Sequence, residues 1–292
     1  MEQTAPLYVS PTTLSDVTLT MIVRDELMNP AGGLLPMLER HLPHFPEVVV
    51  LDTGSVDGTR QLLEHLQRKY SQLRVYDAAF EGFGPARTMA NSHVRTRYSL
   101  VLDADEMISS IDGLAADVRN ASEKYFGEDF ALKFEFRWIP PFCDNYMRGH
   151  NVLNPRLFPK DKTIFERVIY EWVTVTNGVS LNVHSASTLI NHFVPDEYGV
   201  GLKDRQFYSE MISHNPGYDR DEIRQLARAK QFLQQHGPPS SKGDFEKWKT
   251  PSPKCLRKYD IDLFAVLKDL DSLGLKVHPK IIDQLDRYGR DG

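Results

Sequence analysis

Three apolar stretches in the first third of the chain end abruptly on acids: VTLTMIV runs into Arg24, Asp25 and Glu26, EVVVL into Asp52, and YSLVL into Asp103, Asp105 and Glu106. Runs this short, rich in β-branched residues and closed by charge, read as strands buried on both faces with a polar mouth. Helical patterns lie between them. Leu34, Leu35, Leu38 and Leu42 recur at helical spacing before Pro43, Leu62, Leu63, Leu66 and Tyr70 share one face, and Pro85 opens a third helix. With a further strand at 73–76, this alternation predicts βαβ units and a mainly parallel sheet. In such sheets ligands bind outside the carboxyl ends of the strands, where all three sets of acids fall.

Beyond about residue 128 the pattern changes. FALKFEFRW alternates as a half-buried strand at 130–138, and strand-like pieces follow at 151–158, 168–175, 179–183 and 187–193. They predict a mixed extension of the same sheet. Helices return after Leu202, with Phe207, Met211 and Ile212 in one stripe and Ile223, Leu226, Ala227 and Lys230 in the next. A stretch rich in Pro, Ser, Gly and Lys at 235–255 reads as a linker or mobile loop before a last helical segment at 256–292.

Composition excludes several classes. At 292 residues, 41% hydrophobic and 26% charged, the chain is neither a disordered polymer nor a disulfide knot. A formal charge of −5 gives no long-range attraction to nucleic acid. Cys143 and Cys255 are too few for a disulfide framework and read as reduced thiols. MEQTAPLYVS lacks the basic-then-apolar pattern of a leader, and no apolar run approaches the ~20 residues of a membrane span, so a cytoplasmic protein is expected. The lysines from Lys242 to Lys258 suit a solvated linker or a peripheral membrane contact.

Asp103-Ala104-Asp105 places two carboxylates on one side of a strand end. Hard divalent cations take such oxygens together with the phosphates of a substrate, so the pair suits a metal-bound nucleoside diphosphate. Solvated or capping acids are the alternative. The turn from Asp52 to Thr59 has a bland account too, as small and acidic residues making a tight strand-to-helix connection.

TMIVRDE, VVVLDTGSVDGT, FGPARTMA and LVLDADE, in this order, resemble the successive N-terminal motifs of family 2 glycosyltransferases. NPRLFPKD, VIYEWV and TLINHF are similar to later stations of the subgroup containing bacterial core-oligosaccharide glucosyltransferases and peptide S-glycosyltransferases. The resemblance covers roughly residues 17 to 215. It implies an α/β GT-A fold: a mostly parallel mixed sheet flanked by helices, with a helical C-terminal extension. The implied division is a tail at 1–16, a catalytic domain at 17–200 split into a nucleotide-binding half (17–110) and an acceptor half (111–200), and a helical extension at 201–234.

The resemblance further implies a nucleotide-sugar donor, most often UDP-glucose or UDP-N-acetylglucosamine, and Mn²⁺ or Mg²⁺. By position, Ile22, Val23, Asp25, Glu26, Asp52, Thr53, Ser55, Arg87, Asp103 and Ala104 would border the nucleotide-sugar. Asp103, Asp105 and His192 would hold the metal, although a lone histidine in TLINHF also suits an ordinary hydrogen-bonded role. Family 2 enzymes invert the anomeric carbon, so a carboxylate must take the acceptor proton. Glu171 is the first choice for that base, with Glu106 and Asp144 in reserve, and Tyr170 stands where the family has a histidine. If Glu171 only pairs with Arg156 or Arg167, its loss would lower stability and spare turnover.

Two other functions remain open on the sequence. A sugar nucleotidyltransferase would want a Gly-rich basic loop after the first strand, which TMIVRDELMNP lacks. A non-catalytic sugar-nucleotide sensor would bind donor without turning it over. The acceptor (glycan, lipopolysaccharide core, peptide or modified nucleic acid) and the oligomeric state are not legible.

Overall fold

VTLTMIV becomes the strand around which the first half is built. It is β1 (Val17–Val23), parallel to β2 (Glu47–Asp52) on one side and to β4 (Tyr98–Val101) on the other. The computed structural model describes residues 14–26, 34–139, 147–149, 155–168, 171–176, 180–193, 208–209, 211–213 and 220–236. Around β1 to β4 the order is α1 (Leu34–His41), α2 (Thr59–Lys69), β3 (Leu73–Asp77) and α3 (Phe83–Ser92). Then come β5 (Glu106–Ile108), α4 (Ile111–Lys124), β6 (Phe130–Ile139), β7 (Met147–Gly149) and β8 (Leu157–Pro159). A hairpin of β9 (Thr163–Glu166) and β10 (Trp172–Val175), the long β11 (Asn182–Phe193) and α5 (Arg220–His236) follow.

The main sheet runs β3-β2-β1-β4-β8-β6-β11-β5, with β7 added to β6. β8 is antiparallel to both β4 and β6, and β5 to β11, while β3, β2, β1, β4, β6 and β11 share one direction. This is the mostly parallel mixed sheet flanked by helices that the sequence implied. Alternation along β1 sends Leu19, Met21 and Val23 into the main core with Leu38 of α1 and Leu63 of α2. On the other face Ala86 and Ala90 of α3 pack against Leu51, with Ile22 beside them. Each large aliphatic side chain so buried stabilises the fold by roughly 1.5–3 kcal/mol over its exposed state.

Several expectations change in detail. Leu14, expected in a tail, is buried in the core, and its N–H donates to the His44 carbonyl. The two strands expected at 179–183 and 187–193 are one strand, β11, interrupted by an irregularity between Ser185 and Leu189. The strand expected at 168–175 is half of the β9–β10 hairpin, and β5 and α4 were not anticipated at all. On α5 the stripe is rotated: Ile223 is 58% exposed, and Ala227 and Lys230 are exposed, while Ala229 is buried against Met211. The expected segment 256–292 and nearly all of the linker lie outside the described residues. No described helix is long and apolar enough to cross a membrane.

Candidate active site at the carboxyl edge of the sheet

The loops after β1 and β2 are tied to each other. Asp25 holds a left-handed φ of 55°, a conformation that an acid tolerates better than most side chains when it bonds locally. Its N–H donates to Ser55 Oγ at 2.9 Å, and its Oδ1 accepts from the Val56 N–H at 2.7 Å. Asp52 Oδ1 accepts from the Gly54 and Ser55 N–H groups at 2.9 and 2.7 Å, closing a turn that Gly54 permits with a φ of 105°. Thr53 is turned back, with both its N–H and its hydroxyl on the Val23 carbonyl. Asp52 Oδ2 is buried and, among the described residues, accepts no hydrogen bond. A buried acceptor left open at a sheet edge suits a ligand donor.

A second group forms where β4 ends. Arg87 on α3 donates from Nη2 to Asp103 Oδ1 at 2.5 Å and from Nε to Glu171 Oε1, joining three elements through one guanidinium. Glu106, only 1% exposed, accepts from the Asp103 N–H at 2.8 Å and from Arg156 Nη2 at 2.9 Å. Arg156 Nη2 also lies 3.8 Å from Asp103 Oδ2, and His192 Nδ1 lies 3.3 Å from Glu106 Oε1. Burial alone would raise the Asp103 carboxyl, but Arg87 and Arg156 outweigh it and hold it well below the usual carboxylate range.

Asp105 is the opposite case. Burial, with Asp103, Glu26 and Glu106 nearby, pushes its carboxyl up to about 7 despite the field of His192. Burial disfavours charge on His192 as well, yet its hydrogen bond to Glu106 and the fields of Asp105 and Asp103 raise it to about 9. An acid surrounded by acids in this way is a place where a cation lowers the energy. Carboxylate oxygen is a donor that Mn²⁺ and Mg²⁺ accept, whereas the His192 imidazole would first have to give up its proton and suits the softer Mn²⁺ better than Mg²⁺. Among the described residues no three His, Cys, Asp or Glu side chains are grouped to hold a metal ion. Asp105 is the carboxylate that would hold a cation here, with substrate phosphate and water as its remaining ligands, as Mg²⁺ commonly has.

The expected residues do gather. Asp25, Glu26, Asp52, Ser55, Arg87, Asp103, Asp105, Glu171 and His192 stand along the carboxyl edge, brought there by separate strands and helices. Val23 and Ala104 are buried in the main core, and the Val23 carbonyl is taken up by Thr53. Ile22 packs with Tyr76 and Phe80 against Leu51. Glu106, a reserve for the base, is committed to Arg156, His192 and the Asp103 N–H. Asp144 and Tyr170 lie outside the described residues. Glu171 pairs with Arg87, a partner the sequence did not suggest. The anchoring role of Arg156 went unread: it follows an Asn-Pro pair in sequence and reaches Asp103 only through the β4–β8 pairing.

Residues 36–111 match the family model described as Glycosyl transferase family 2. That segment holds Asp52, Arg87, Asp103 and Asp105. Solved structures similar to this chain include residues 1–349 of S. aureus TarS, at 14% identity over 75% of this chain and 72% of that one, with a TM-score of 0.42. The same protein in complex with UDP-GlcNAc is 14% identical over 75% and 73% of the two chains with a TM-score of 0.44. Its complex with UDP is 15% identical over 76% and 71%, with a TM-score of 0.46.

Proposed function

We propose that this chain is an inverting glycosyltransferase that moves a sugar from a UDP-sugar, such as UDP-glucose or UDP-GlcNAc, to a nucleophilic acceptor. The observation that carries the reading is the convergence of Asp25, Asp52, Arg87, Asp103 and Asp105 on one sheet edge, most of them in the segment that matches glycosyl transferase family 2. The open Asp52 Oδ2 accepts from the nucleoside, and the Asp25–Ser55 clasp keeps that loop in shape before donor arrives. Arg87 and Arg156 fix Asp103 without leaving bare negative charge beside a diphosphate. Asp105 and His192 would hold a divalent cation, which when bound stabilises charge on the departing diphosphate. Glu171, on the hairpin side of Arg87, takes the acceptor proton as the acceptor displaces the diphosphate at the anomeric carbon.

The Arg87–Glu171 pair favours a second reading, in which Glu171 is an anchor and the site binds donor without transferring it. One experiment addresses both. A panel of nucleotide-sugars is tested for binding and slow hydrolysis with and without Mn²⁺, in the parent chain and in Asp105→Ala. Sugar-selective, metal-dependent binding and hydrolysis that vanish in the variant support transfer. Binding without hydrolysis, and without transfer across a full screen of acceptors, supports the second reading, and a folded sample that binds no nucleotide-sugar overturns both.

A further inference from the structure

We propose that Asp117 is a positioning residue: it holds open the irregularity in β11 that sets where His192 meets the sheet edge. Asp117 lies on the sheet-facing side of α4 between Leu114 and Ala121 and is 3% exposed. A carboxylate so placed costs stability unless it is fully hydrogen-bonded. It accepts from the Ser187 N–H at 3.0 Å, the Ser187 hydroxyl at 2.7 Å and the Thr188 N–H at 2.9 Å. These donors belong to the segment where β11 leaves register with β6. Ser185 pairs with Lys133 and Leu189 with Glu135, so four steps along β11 span two along β6.

Two residues are therefore looped out, and their N–H groups go to Asp117 in place of the sheet ladder. An even number keeps the alternation of faces but moves everything beyond it along the strand by about 6–7 Å, two residues' rise. The far side of the loop is clasped as well. The Leu189 N–H donates to Ser109 Oγ at 3.1 Å and the Ser109 N–H to the Leu189 carbonyl at 2.9 Å. A Cβ on Gly113 would meet Thr188 Oγ1 at 2.6 Å, so the loop also needs the gap that glycine leaves in the first turn of α4. Beyond the clasp, Ile190 pairs with Ile108 and His192 with Glu106, which puts the imidazole against Glu106 and edge-on to Phe136. If the loop closed, Ile190, two places earlier, would face Glu106 and His192 would move past it.

The functional part of this inference rests on the glycosyltransferase reading, whereas the structural part does not, and the test separates them. Asp117→Ala and the milder Ser187→Ala are made in the full chain, with thermal unfolding to establish a folded population. In that population, nuclear Overhauser contacts between the His192 and Phe136 rings and the imidazole nitrogen shifts of His192 report its place. Asp117→Ala is expected to abolish the contact and shift those nitrogens. Ser187→Ala, which removes one bond of three, is expected to weaken the contact partially. Should Asp117→Ala not fold, Ser187→Ala decides alone: a parent-like His192 spectrum overturns the proposal. A folded Asp117→Ala with the parent contact overturns it too. Where the parent turns over a UDP-sugar, Asp117→Ala should lower kcat by about 10²-fold through misplacement. Combination with His192→Ala should then give little further loss, and fully additive losses would overturn the link. A parent without turnover refutes the enzyme reading and leaves the spectral result to decide the role of Asp117.

Discussion

Arg87 Nη2 sits 2.5 Å from Asp103 Oδ1 while Nε of the same guanidinium bonds Glu171, so one buried cation links the strand-end acid to the carboxylate expected as base. Only a planar fork serves both at once. Arg87→Ala should cost about 3–5 kcal/mol in urea unfolding, because it strands two carboxylates. Arg87→Lys should recover part of that stability, since an ammonium can reach one partner. Nucleotide-sugar binding, measured by calorimetry, should remain impaired in both. Parent-like affinity in Arg87→Lys would show that the bridge does not shape the donor site.

Glu171→Gln separates a base from an anchor. The amide still accepts from Arg87 Nε through its oxygen, so folding should change little. A base that can no longer take a proton should lower kcat by about 10²–10⁴-fold. Donor affinity should stay near the parent value. If transfer survives and only the melting temperature falls, Glu171 is an anchor.

Gly84→Ala tests how the hairpin is held. A Cβ there would stand 2.0 Å from the Arg167 carbonyl oxygen, and at Gly82, whose φ is 120°, it would meet Val168 Cγ1 at 2.4 Å. The Phe83 N–H donates to the Val168 carbonyl at 2.7 Å across this contact. Forcing a methyl against backbone should cost about 1–3 kcal/mol and push the β9–β10 hairpin from α3, carrying Glu171 away from Arg87. Limited proteolysis should then cut within 163–176 faster than in the parent. Unchanged cleavage would mean that the hairpin is held elsewhere.

The parts legible in sequence were those whose signal is local. VTLTMIV, EVVVL and YSLVL needed only their own apolar runs, and the acids at their ends fell on one edge because parallel strands share a carboxyl end. What escaped depends on partners far away in the chain. β5 has three residues and exists because Ile190, Asn191 and His192 pair with it, which no window around 106–108 can reveal. The split seen in sequence between 179–183 and 187–193 was real, but its cause is Asp117, some seventy residues earlier. Helix α4 carries a local signal, Ser110 as cap with Leu114 and Ala121 on one face, which distinguishes it from β5. The orientation of α5 was misjudged because Ile223 outweighed Ala229 on hydrophobicity, while close packing against Met211 selects the small residue.

His41 ties the first helix to the edge of the site and makes stability depend on pH. Its Nδ1 lies 2.6 Å from the Met37 carbonyl, and its Nε2 accepts from the Ile108 N–H at 3.2 Å. Both ring nitrogens are thus occupied by the neutral imidazole, and a second proton would face the Ile108 N–H. Burial dominates, and the charges of Arg40 and His44 add to it against the Met37 bond, lowering the pKa from 6.5 to about 4. The folded pKa lies below the unfolded one, so below about 6.5 the unfolded chain binds a proton that the native chain refuses. Stability from this group is full above that pH, declines as pH falls toward 4, and levels off below it. The whole change is about 3 kcal/mol. Urea unfolding between pH 7.5 and pH 4, buffer values chosen to span roughly this window, should show the decline in the parent and a reduced slope in His41→Gln. A variant with the parent's full slope would assign the acid sensitivity to other groups.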